Sequence, residues 1–345
     1  MKALVYHSPG QKSWEEKPKP TIQLQTDAII KIVKTAIGIN DLHLIDSSTP
    51  IVSEGRILGH EGVGVIEKVG SEVKNFKVDD YVLISSITSC GRCEKCKKQM
   101  YSHCEHGGWL LGNVIDGTQA QYVRIPYADT SLHHIPKDAD AEAFVMLSNV
   151  VPTAYECGVL KGKIGVSDSV AIIGAGPIGI AALLTAQFYS PSQIIMIDFD
   201  DNRLSEALSL GADHIVNISH EYAVKSVMDL TNGKGVDTVI EAAGTPTTFG
   251  IASEIVAVGG HIANIGIHGK GVNLHLEQLF SKNITITTHI VDTNSIPVLI
   301  KSVISNKLDP TKLISHLFNL EQIMEAYEVL ENASHEKVLK IVLTA

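Results

Sequence analysis

Aromatic residues are scarce in this chain, at 5% of its 345 residues, so its cores must be built mainly from aliphatic side chains. Basic residues are also short: 28 Lys and Arg face 38 Asp and Glu, a formal charge of −10. That balance argues against nucleic acid or an anionic membrane as the main partner. No long apolar run follows Lys2, since polar residues and prolines come at once. No signal peptide is therefore expected, and the chain is expected to be cytoplasmic. Internal repeats and low-complexity segments are absent, and only five cysteines occur.

What is present is a hydrophobic fraction of 44% and 28 glycines, which suits an α/β protein with aliphatic strands and tight turns. The length suggests two domains. Up to about Ala141 the chain reads as β-rich, with short β-branched segments at 28–33, 63–69, 81–84 and 122–125. The texture then changes to alternation. Strands are expected at 169–173, 194–198, 214–216, 236–240 and 261–265, with helices at 178–188 and 202–210. Helices at 298–305 and 320–331 and a strand at 337–343 are expected to follow. The apolar window 169–188 is long enough to span a bilayer. Its central Gly174, Gly176, Pro177 and Gly179 instead predict strand, turn and helix, so no membrane partner is expected.

Gly174-Ala175-Gly176-Pro177-Ile178-Gly179 has the form G-x-G-x-x-G, following an apolar strand and opening a helix. Asp198 lies 19 residues past Gly179, at the end of the next strand. This context predicts a dinucleotide site. Gly174 allows the tight turn, Gly176 the close approach of backbone to pyrophosphate, and Gly179 the packing of helix on strand. The helix N-terminus offers free N–H groups to the phosphates. Asp198 is expected to hold the adenosine ribose hydroxyls and to repel a 2′-phosphate, which predicts NAD rather than NADP. Arg203 is the nearest group that softens that repulsion, against the added charge of Asp200 and Asp201.

Cys90, Cys93, Cys96 and Cys104 form C-x2-C-x2-C-x7-C. In a chain without secretory features this predicts metal ligation rather than disulfides. Four thiolates close a tetrahedral zinc shell, and an iron–sulfur cluster also uses four. Arg92, Lys95, Lys97 and Lys98 offset the negative charge of such a centre. Cys157, alone, reads as a small buried apolar residue.

The segment Thr35-Ala36-Ile37-Gly38-Ile39-Asn40-Asp41-Leu42-His43, the triplet Gly59-His60-Glu61, the cysteine lobe and the glycine fingerprint together resemble the zinc-containing medium-chain alcohol dehydrogenases. Residues 145–153 resemble the bacterial secondary-alcohol branch. The resemblance implies a GroES-like β-rich catalytic domain over 1–152 with a structural zinc in the cysteine lobe. It implies a Rossmann doubly wound parallel-sheet domain over 153–295, and a C-terminal return over 296–345 completing the first domain. It also implies a homodimer or homotetramer acting on an alcohol or ketone, with Arg203 along the adenosine.

Against that family two zinc ligands are missing. A thiolate is expected at position 38, where Gly38 stands, and a carboxylate at 149, where Asn149 stands. His60 and Glu61 remain as donors. Asp41 matches a residue that orients the ligand histidine, and His43 a proton relay. Asn40 replaces the hydroxyl that passes the proton to the alcohol. The catalytic zinc is therefore expected to be weakened or lost. Zinc normally stabilises the alkoxide from which hydride leaves. The first reading is an NAD(H)-dependent alcohol/ketone oxidoreductase. The second is a zinc-free reductase of enones or quinones, with Asn40, Asn149 or His43 donating to the oxyanion. The third is an NADH-binding protein without turnover.

Overall fold

The computed structural model describes residues 1–46 and 52–345. The chain divides into two compact units, residues 1–149 with 292–345, and residues 150–291.

Strands β1 (Lys2–Ser8) and β2 (Gln11–Glu16) form an antiparallel hairpin. β3 (Ala28–Ile37), β4 (Gly62–Val69), β5 (Tyr81–Ile84), β6 (Tyr122–Ile125) and β7 (Leu132–His134) follow in the first unit. The second unit holds β8 (Ser169–Ile173), β9 (Gln193–Asp198), β10 (His214–Asn217), β11 (Val236–Glu241), β12 (Val256–Asn264) and β13 (Thr285–Thr288). β14 (Ile314–Asn319) and β15 (Lys340–Thr344) return to the first unit.

In the second unit the strand order is β10-β9-β8-β11-β12-β13, with every neighbouring pair parallel. This is the 3-2-1-4-5-6 order of a dinucleotide-binding sheet. Its interior is aliphatic, as the shortage of aromatics requires: Ala171, Ile195, Ile197, Val239 and Ile262 are fully buried. The apolar window 169–188 resolves into β8, a glycine turn and the helix Pro177–Ala186. Among the described residues no helix is long and apolar enough to cross a membrane.

In the first unit the sheet runs β14-β15-β3-β4-β5-β7, with β6 paired to β3. β15 pairs antiparallel with β3, setting Ile341 opposite Ile37 and Val342 opposite Ala36. A core of Ile37, Leu42, Ile45, Ile323, Tyr327 and Ile341 ties the helices Ile39–Asp46 and Ile323–Glu331 to this strand pair. The last strand starts at Lys340 rather than at 337, because Lys337 takes a left-handed backbone (φ 54°) that breaks extension. The helix expected from 298 starts at Ile296, with Pro297 in its first turn, where proline costs no hydrogen bond. β12 is longer than the expected 261–265 and starts at Val256.

Candidate functional site

The glycine turn in the second unit has the geometry its sequence predicts. Gly174 has φ +102°, a backbone that L side chains avoid, and its N–H donates to the Ile197 carbonyl at 2.7 Å. A Cβ on Gly179 would lie 1.7 Å from the Gly174 carbonyl oxygen, so only glycine lets helix and turn close. Around Gly176 a Cβ would meet nothing within 4 Å, which leaves open space above the turn. Gly176 caps the helix without a side-chain hydrogen bond, and Pro177 is in its first turn. Ile178 follows and is half-buried. The helix thus presents free N–H groups to that space.

Asp198 is 6% exposed at the end of β9. Its Oδ2 accepts the Ala175 N–H at 2.6 Å, and its Oδ1 accepts from the Phe199 and Asp200 N–H groups. The carboxylate therefore couples the glycine turn to the next loop, a bond the motif alone does not reveal. Arg203 lies half-buried in the first turn of the helix Asp201–Ser209, which Asp200 caps. These residues fit a dinucleotide: an uncapped helix end, open space over Gly176 and an acidic strand end.

The cysteine lobe also comes together. The sulfurs of Cys90, Cys93, Cys96 and Cys104 lie within 4.8 Å of one another, with Cys90 to Cys96 at 4.0 Å and Cys93 to Cys104 at 3.9 Å. Zinc–sulfur bonds of about 2.3 Å place tetrahedral sulfurs about 3.8 Å apart, so the four thiols fit one zinc ion. Cys93 precedes the turn Glu94–Lys97 and accepts the Cys96 N–H at 3.5 Å. That backbone donor lowers the Cys93 thiol to about 6, while burial raises Cys96 to about 12. Cys157 is 2% exposed, as a small core residue would be.

The remaining sequence candidates cluster in the first unit, though not in the expected hydrogen bonds. His60 and Glu61 are 3% and 2% exposed. His60 Nε2 lies 3.0 Å from Asn149 Nδ2. Either orientation of the amide engages that ring nitrogen, by donating to its lone pair or by accepting its proton. Glu61 Oε1 accepts a 2.6 Å hydrogen bond from the Lys340 ammonium. Glu61 Oε2 and His60 Nδ1 are buried without a hydrogen-bond partner.

Asp41 corrects an expectation. It does not hydrogen-bond His60. Its Oδ2 accepts the Gly38 N–H at 2.9 Å and its Oδ1 accepts Gln119 Nε2 at 3.0 Å. Tyr327 in turn donates to Gln119 Oε1 at 2.9 Å. Burial pushes the Asp41 carboxyl above its ordinary range, against the opposing fields of His60 and Lys340. Asn40 is half-buried and His43 exposed, both on the helix Ile39–Asp46.

Sequence reasoning missed Lys340, Gln119 and Tyr327. The one available signal was Lys340 itself, a lone charge in an apolar strand.

Comparison with known proteins agrees with this fold. Residues 25–137 match the alcohol dehydrogenase GroES-like domain, and residues 177–305 match the zinc-binding dehydrogenase domain. An alcohol dehydrogenase from Cupriavidus necator is 32% identical, covering 99% of this chain and 98% of its own. The NADP-dependent isopropanol dehydrogenase of Thermoanaerobacter brockii is 31% identical over the full length of both. The solved structure of zinc dependent alcohol dehydrogenase 2 from Streptococcus pneumonia, in its apo form, is 50% identical. It superposes with a TM-score of 0.94, covering 100% of this chain and 98% of that one. The chain is an alcohol dehydrogenase-like oxidoreductase, and it belongs to the zinc-type medium-chain alcohol dehydrogenase family.

Proposed function

We propose that this chain is an NAD(H)-dependent alcohol/ketone oxidoreductase that holds one zinc in its cysteine lobe and works without a normally liganded catalytic zinc. The observation that carries the reading is the engagement of His60 Nε2 with Asn149 at 3.0 Å. With Gly38 offering no donor and Glu61 Oε1 bound to Lys340, these residues do not fit a family-type catalytic zinc.

Nicotinamide, when bound, supplies or accepts the hydride: ketone, NADH and a proton give alcohol and NAD+, and the reverse. Asp198 favours NADH, because its charge opposes a 2′-phosphate and its site binds a ribose diol. The Thermoanaerobacter brockii relative is NADP-dependent by name, so the preference rests on the residues of this chain. Without a Lewis acid at His60, oxygen charge must be met by hydrogen-bond donors, for which Asn40, Asn149 and His43 are the candidates. The neutral Asn149 amide beside His60 also favours conjugated carbonyls, whose charge spreads on hydride addition. Asn40 cannot relay a proton as a hydroxyl does, so interconversion of simple alcohols and ketones is slowed in both directions.

The five cysteines form no disulfide, which supports a cytoplasmic setting. The edge strand β13, with exposed Ile267, Phe280 and Ile290 in the same unit, supports a homodimer or homotetramer.

The test is NADH and NADPH oxidation against a ketone panel and an enone panel. Turnover with NADH on either panel, faster than with NADPH, is expected. Brisk oxidation of simple secondary alcohols by a chain carrying two zincs would overturn the reading.

A further inference from the structure

Antiparallel register carries the chain one step past the Ile341–Ile37 pair, to Lys340 opposite Gly38. Gly38 has no side chain to fill the space between them, and Lys340 fills it. A Cβ built on Gly38 would lie 3.0 Å from Lys340 Nζ, 3.3 Å from Cδ and 3.6 Å from Cε. The ammonium ends 2.6 Å from Glu61 Oε1, with side-chain exposures of 5% and 3%. An ammonium this deeply buried needs a carboxylate partner, and Glu61 is the acid it meets. Glu61 Oε1 also lies 3.8 Å from His60 Nε2. The same oxygen thus faces the imidazole nitrogen and the lysine.

We propose that the Lys340 ammonium is the resident cation of this site, a positioning residue that neutralises Glu61 and keeps a divalent metal out. It rests on the reading above, without a catalytic zinc, and deepens it by naming what holds the site closed. Two devices act together. Lys340 occupies one of the two carboxylate oxygens that a metal would recruit, and its arm crowds the space that a side chain at position 38 would enter. A divalent ion drawn to Glu61 and His60 would also face the lysine charge across a single carboxylate, where low-dielectric surroundings strengthen repulsion. A thiolate restored at position 38 would press on the lysine arm and share the site with its charge, so it is not expected to recruit a metal while Lys340 stays.

The experiment is cobalt(II) titration of the full-length chain, read by ligand-field absorption, with total metal counted by elemental analysis. The proteins are the native chain, Lys340→Met, Lys340→Arg, Gly38→Cys and Gly38→Cys/Lys340→Met. The native chain and Lys340→Arg are expected to hold metal at the lobe alone. Lys340→Met is expected to bind a second cobalt at least about tenfold more tightly than the native chain does, as freeing a carboxylate ligand predicts. Gly38→Cys alone is expected to gain no second metal, and the double variant to gain one. One metal in both the native chain and Lys340→Met, or a second metal in Gly38→Cys with Lys340 intact, overturns the role of Lys340. Two metals in the native chain overturn the one-zinc reading itself. Where Lys340→Met does not fold, Gly38→Cys against the native chain decides.

Discussion

Asp41 and Gly38 hold each other through both ends of one short turn: the Gly38 N–H donates to Asp41 Oδ2, and the Asp41 N–H donates to the Gly38 carbonyl, each at 2.9 Å. The aspartate the family pattern assigns to His60 here fastens the loop that lacks a zinc ligand. Gln119 and Tyr327 extend that clasp into the core.

Asp41→Ala should therefore cost stability, since it strands the buried donors Gly38 N–H and Gln119 Nε2. The expected loss is about 1–3 kcal/mol, checked by denaturant unfolding. Asp41→Asn should cost less, because its amide retains one acceptor. The pH dependence has a definite sign. Burial raises the folded-state pKa of Asp41, so folding takes up a proton. Its contribution to stability is then full below the unfolded carboxyl value of about 4 and declines as pH rises through the folded value. Asp41→Asn should flatten that part of the stability–pH curve. An unchanged curve would show that the carboxyl is not perturbed.

Tyr327→Phe removes one hydroxyl bond to Gln119 and leaves the ring in its core. A loss of about 1 kcal/mol is expected. Thermal unfolding indistinguishable from the native chain would mean that Gln119 finds another donor.

Loss of the lobe metal should be a structural event. Chelation or Cys93→Ser is expected to lower the unfolding temperature or disturb assembly, because four thiols within 4.8 Å need a cation to hold them. Equal stability in the metal-free protein would remove zinc from the lobe.

Cofactor choice should turn on Asp198. Asp198→Asn keeps an acceptor for the Ala175 N–H while removing the charge that opposes a 2′-phosphate. The NADPH-to-NADH affinity ratio should rise about tenfold or more, with Arg203 nearby. Calorimetry giving equal or tighter NADPH binding by the native chain would contradict the assignment.

The Rossmann-like half was legible because its signals are local. Gly174, Gly179 and Asp198 lie within one strand–turn–helix–strand unit, and their spacing implies their geometry. The cysteine lobe was legible for the same reason. The neighbourhood of His60 was not. Lys340 reaches Glu61 across 279 residues of chain, and Tyr327 reaches Gln119 across 208. The β3–β15 register brings Lys340 to this site, and the packing of the helix Ile323–Glu331 brings Tyr327; neither is written in any one segment. Gly38 and Asn149 could be recognised as departures from a pattern. What fills the space beside Gly38 had to come from the fold. The role expected of Asp41 failed for a related reason: the Gly38 N–H and Gln119 were competing donors that the motif does not display.

The number of metal ions carried by the native chain separates a lobe-only zinc enzyme from one with a working catalytic zinc. Elemental analysis of the unmodified protein, paired with a secondary-alcohol assay, measures it directly. About one zinc per chain, with little oxidation of simple alcohols, is the predicted result. Two zincs per chain with brisk alcohol oxidation would contradict it, and would mean that His60 and Glu61 release Asn149 and Lys340 to take a metal.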